Sequence, residues 1–155
     1  MSNKPVIDAL KTSLADTYTL QLKTQNYHWN VEGRDFAALH ALFENQYNEL
    51  FAAVDEIAER IRALDEKAPG TYAEFSKLTT LKEGDSSLDE FGMVRDLYQS
   101  NLQIAQTLKK GVEKAENADD VSTADLLTGR ITVHEKAAWM LKSTLAPDQR
   151  KQLAA

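Results

Sequence analysis

The stretch Asp35-Phe36-Ala37-Ala38-Leu39-His40-Ala41-Leu42-Phe43-Glu44, running on through Asp55-Glu56-Ile57-Ala58-Glu59 to Lys67 without Gly or Pro, decides the fold. Phe36, Leu39, Leu42, Phe43, Leu50, Val54, Ile57, Ile61 and Leu64 recur at spacings of three and four. That is the period of a long amphipathic helix with one core face. Asp35 is the expected N-cap, because a carboxylate there can accept the first unpaired backbone N–H groups.

Beside the apolar stripe runs a second one, made of His40, Glu44, Asp55 and Glu59. At about 100° per residue these four fall within a sector of about 100°. A carboxylate row on a long helix is ordinarily a solvated face. Along the axis His40 and Asp55 stand ~22 Å apart, so one chain cannot close all four around one ion. His40 with Glu59 and Glu44 with Asp55 are, however, both centred on the boundary between Glu49 and Leu50. Two copies of the helix packed antiparallel about a two-fold axis at that boundary would level His40 and Glu44 of one chain with Glu59 and Asp55 of the other. Such an isologous dimer would carry two identical mixed sites.

His28 strengthens the pattern, since it lies as far before Arg34 as His40 lies after it. In an antiparallel helical hairpin the two histidines are level. Two imidazoles and three carboxylates with no sulfur suit Fe(II), with Mn(II) or Zn(II) as competitors.

Asn26-Tyr27-His28-Trp29-Asn30-Val31, followed by Gly33, Phe36 and Leu39-His40 and then by Asp55-Glu56-Ile57-Ala58-Glu59-Arg60-Ile61-Arg62-Ala63-Leu64, resembles the paired motif of the Dps family of ferritin-like miniferritins. The resemblance extends over nearly the whole chain. It implies a ferroxidase that oxidises Fe(II) to Fe(III), with hydrogen peroxide preferred over oxygen, and stores the ferric mineral in a hollow dodecamer. The catalytic metal ligands carry over as His28, His40 and Glu44 of one chain with Asp55 and Glu59 of its two-fold mate. Two iron positions per intersubunit site are implied, one of them weak because two histidines are few for a di-iron centre. Where many relatives have Asp, Glu44 is the longer acid. Trp29 is implied to meet oxidising species beside the site; the plain alternative is a core or interface aromatic.

At 155 residues the chain is expected to be one ferritin-like domain, 1–155, large enough for a full core without staples. The absence of cysteine excludes thiolate sites and disulfide frameworks. The N-terminus shows no signal pattern and no apolar run approaches a membrane span, so a soluble cytoplasmic protein is expected. No phosphate loop and no nucleophile with a paired base points to an organic cofactor or hydrolytic chemistry. The net charge is −6, and the basic residues near the ends are few: Lys4, Arg150 and Lys151. A negative surface repels phosphate backbones, so the alternative function, nucleoid-associated DNA compaction under starvation, does not come with the resemblance.

The remaining segments complete an all-α, ferritin-like four-helix bundle. Residues 5–30 form the first helix, opened by Pro5 and patterned by Val6, Ile7, Leu10, Leu14 and Leu22. Asn30 to Arg34 is a tight turn that makes the first two helices antiparallel neighbours. The pattern breaks at Ala68-Pro69-Gly70, and the stretch to Ser86 is a long central crossover containing a short helix of its own. Ser87-Leu88-Asp89-Glu90 reads as a capping box, Ser87 being the N-cap of a third long helix to about Glu116. A fourth helix starts near Asp119 or Asp120 and stops at Pro147. Asp119, Asp120 and Asp125 at its start suit the positive helix end. The resemblance implies that they line three-fold channels admitting Fe(II). His134 is expected to be structural and Trp139 to serve packing.

Overall fold

The computed structural model describes residues 3–153. Six helices follow one another: α1 (Lys4–Asn30), α2 (Phe36–Ala63), α3 (Tyr72–Leu78), α4 (Glu90–Asn117), α5 (Val121–Ser143) and α6 (Pro147–Leu153). α1 lies against α2 and α4, α5 lies against α4, and α3 sits on α1. This is the ferritin-like bundle: two helical hairpins joined by the 64–89 crossover.

The 3.6-residue period determines which side chains meet in the centre. Leu10, Leu14, Leu20 and Tyr27 of α1, Phe43, Ile57 and Ile61 of α2, Met93, Leu97, Ile104 and Leu108 of α4, and Leu127 of α5 are sealed from solvent. Burying each contributes on the order of 2 kcal/mol. Phe36 departs from the expected stripe. It is exposed, and its ring leans on His40 instead of the core.

α1 also buries polar residues, and each finds a partner. Ser13, Thr17 and Thr24 return their hydroxyls to carbonyls four residues back. Asp16, fully buried, accepts from Thr79 Oγ1 (2.7 Å), the Thr80 N–H (2.6 Å) and Thr80 Oγ1 (2.8 Å). Tyr27 Oη donates to Asp96 Oδ2 (2.5 Å) and accepts from the Asp85 N–H (3.0 Å). Lys23 Nζ reaches Asp96 Oδ1 and Ser100 Oγ. Burial, reinforced by the bond to Asp96, pushes the Tyr27 phenol upward; burial also pulls the Lys23 ammonium down against the opposing pull of Asp96. These contacts pin both ends of the 79–85 segment to α1.

Several helix ends differ from expectation. Asp35 makes no side-chain cap; its own N–H donates to Glu90 Oε1 (2.7 Å). The cap of α4 is Asp89, which accepts from the Gly92 N–H (2.7 Å), while Ser87 turns back to Asp85. Asp89 wins because its carboxylate stands immediately before the first helical turn. α3 carries the reciprocal box foreseen elsewhere: Thr71 accepts from the Glu74 N–H and donates to its carboxylate. Pro147 opens α6 where it was expected only to close α5, proline at a first helical position needing no N–H partner.

Candidate metal centre

The short Val31–Asp35 connection folds α2 back along α1 and brings His28 beside His40. Their rings stack with centroids 3.8 Å apart and planes 13° from parallel. His28 Nδ1 lies 2.7 Å from the His40 carbonyl, and His40 Nδ1 lies 2.7 Å from the His28 carbonyl. A carbonyl only accepts, so both Nδ1 atoms carry the proton. In the neutral rings both Nε2 atoms are then lone-pair donors, each oriented by a backbone group as metal-binding imidazoles commonly are. Tyr47 meets His28 edge-on at 5.2 Å, and Phe36 covers the other side of the pair from 5.0 Å off His40.

Glu44, Asp55 and Glu59 lie on the exposed surface of α2. Among the described residues, no three His, Asp or Glu side chains of one chain converge where an ion could sit. Within one chain the structure brings together His28 and His40 alone, while Glu44, Asp55 and Glu59 stand apart from them along α2. The donors themselves fit a hard to borderline cation such as Fe(II), being imidazole nitrogen and carboxylate oxygen only.

Trp29 is 61% exposed, one residue from His28, on an apolar surface shared with Leu22, Phe51 and Tyr72. It is not a core residue. Trp139, expected to pack, is 63% exposed on α5. Asp119 and Asp125 are exposed, and Asp119 holds a left-handed backbone (φ 56°) that ends α4. Asp120 is engaged: it accepts from the Thr123 N–H and hydroxyl and from Arg60 Nη2 (2.8 Å). Burial pushes its carboxyl up, but the Thr123 bonds and the Arg60 charge outweigh this and hold it below the usual range.

His134 is structural, as expected. Its Nδ1 bonds Asn101 Oδ1 (2.9 Å) and its Nε2 lies 3.3 Å from Arg130 Nη2. Burial and the adjacent Arg130 charge pull it down from 6.5 to about 3, so it is neutral.

Two contributors were not singled out from sequence. Tyr47 follows His40 by two helical turns, a spacing that places both on one face and could have found it. Glu90 comes from another helix altogether, and no local pattern announces its reach to Asp35.

Residues 7–150 match the family model of the ferritin-like domain. The chain is 41% identical over 143 residues to DNA protection during starvation protein 2 of Bacillus anthracis, covering 92% of this chain and 98% of that protein. The Dps of Staphylococcus aureus superposes with a TM-score of 0.90 at 34% identity, over 94% of this chain and 97% of that one. A Dps protein of Vibrio cholerae O1, described as a member of the ferritin-like diiron-carboxylate proteins, gives 0.88 at 30% identity over 93% and 91%.

Proposed function

The chain belongs to the Dps family of ferritin-like proteins, and from that premise we propose that it is a cytoplasmic ferroxidase that detoxifies and stores iron. Fe(II) is its substrate. The observation that carries the reading is the histidine pair, whose reciprocal Nδ1 bonds leave both Nε2 atoms as donors beside a carboxylate-bearing helix.

In this reading His28, His40 and Glu44 of one chain and Asp55 and Glu59 of a two-fold mate hold two Fe(II) ions at each dimer contact of a dodecamer, one more weakly than the other. Each ion gives one electron to hydrogen peroxide, whose O–O bond breaks with uptake of both to leave two hydroxide ions. Paired delivery releases no hydroxyl radical. The chain's contribution is to hold two cations close together among negative and neutral donors while leaving positions for the oxidant. The ferric product hydrolyses to an oxy-hydroxide mineral inside the shell. Asp119 and Asp125 are the better candidates for a ring that focuses incoming Fe(II), because Arg60 already offsets Asp120.

The test is anaerobic Fe(II) loading followed by hydrogen peroxide, recording ferric absorbance. Fast oxidation by the native chain that is lost in His28→Ala/His40→Ala supports the site; equal rates defeat it. The Bacillus anthracis relative is named for DNA protection during starvation, and protection by direct DNA binding is the second reading. At net charge −6 protection is chemical on our reading, and a band retarded in a low-salt gel shift would reverse that.

A further inference from the structure

We propose that Glu90 is a positioning residue for the iron-binding histidines: its carboxylate, projecting from the first turn of α4, holds the α1–α2 connection and thereby the mutual register of His28 and His40. The inference rests on the metal-site reading above.

Gly33 in this connection takes φ 135°, and a Cβ added there would fall 2.6 Å from Glu90 Cδ and 2.7 Å from Oε1. The carboxylate therefore lies directly on the backbone of the turn, in a space that only glycine leaves open. From there Oε1 accepts the Asp35 N–H at 2.7 Å, a charge-assisted bond. Asp35 is the N-cap residue of α2 and supplies no side-chain cap itself. Glu90 thus holds the residue from which α2 starts.

The start of α2 matters because the histidine lock is reciprocal. His40 Nδ1 bonds the carbonyl of His28, and His28 Nδ1 bonds the carbonyl of His40. An axial slip of α2 against α1 would strain both bonds at once and turn both Nε2 atoms. Phe36, next to Asp35, transmits any such slip directly, since its ring packs against His40. Glu90 is not needed to cap its own helix, a task Asp89 performs through the Gly92 N–H.

Two substitutions separate this role from a general effect of charge at a helix N-terminus. Glu90→Asp keeps the negative charge at α4 and shortens the reach to Asp35. Glu90→Gln removes the charge and keeps a carbonyl oxygen at full reach. Co(II), a spectroscopic stand-in for Fe(II), is titrated anaerobically into the full-chain oligomer and followed by its visible absorption. Glu90→Asp is expected to weaken Co(II) binding roughly tenfold and alter the cobalt spectrum, the low end of what losing ligand-orienting groups costs. Glu90→Gln is expected to keep native affinity and spectrum. Native behaviour in Glu90→Asp, or equal loss in both variants, overturns the proposal. The same titration of His28→Ala/His40→Ala separates the two levels: if that variant binds Co(II) as the native chain does, it is the site reading that fails.

Discussion

Arg130 of α5 grips Glu49 of α2 with both terminal nitrogens, Nη1 to Oε2 and Nη2 to Oε1 (2.9 Å), although the arginine is buried and the glutamate side chain is 42% exposed. The two partners are therefore unequal. Glu49→Ala leaves a guanidinium buried without its counter-ion, a change that typically costs about 3–5 kcal/mol. Arg130→Met leaves a carboxylate that water can reach, and a cost under about 2 kcal/mol is expected. Urea midpoints at one protomer concentration would show the order, and the reverse order would mean that the pair is not what stabilises this contact.

His134 predicts an acid-sensitive stability. Its folded-state value is depressed to about 3 from 6.5, by burial first and by Arg130 second. The unfolded chain therefore takes up a proton that the native chain refuses. The stabilisation is present in full above about pH 6.5 and is lost as pH falls towards 3, with a slope of up to about 1.4 kcal/mol per pH unit. His134→Gln should unfold with a flatter dependence between pH 7 and 4.5, measured by urea midpoints.

An intersubunit site predicts complementation. Neither His28→Ala/His40→Ala nor Asp55→Ala/Glu59→Ala should oxidise Fe(II) rapidly alone. Refolded together in equal amounts, half of the dimers are mixed, and each mixed dimer holds one intact site and one doubly broken one. About a quarter of the native rate should return. No recovery, with mixed dimers verified by mass spectrometry, would mean that the ligands act within one chain.

Asp16 predicts the behaviour of the crossover. Asp16→Ala removes the acceptor of three hydrogen bonds from Thr79 and Thr80. A loss of about 2–3 kcal/mol is expected, because the exposed Thr80 can rehydrate in part. Limited proteolysis should cut between Leu78 and Lys82 in the variant before it cuts the native chain.

The four long helices were readable because each carries an apolar period long enough to outweigh local noise. The ends were not, since they depend on neighbours distant in sequence. Asp35 looks like a cap until Glu90 arrives to take its N–H. Pro147 looks like a stop until α6 begins on it. For the site, hairpin symmetry about Arg34 brought His28 level with His40, but not the stacking or the exchanged Nδ1 bonds, which depend on ring rotamers. The exposure of Trp139 was missed because a tryptophan among apolar neighbours looks like core from sequence.

The buried ties to the crossover also have a consequence for time. α1 with α2, and α4 with α5, are hairpins of adjacent segments, whereas the bonds of Asp16 to Thr79 and of Tyr27 to Asp85 join residues 63 and 58 apart. Closing long loops is slow, so these bonds are expected to close after the hairpins have formed. Interactions absent from the transition state act on the unfolding rate and leave the folding rate nearly unchanged. Loosening the crossover is then expected to shorten the lifetime of the folded chain while the hairpin that brings the two histidines together still forms at its own rate.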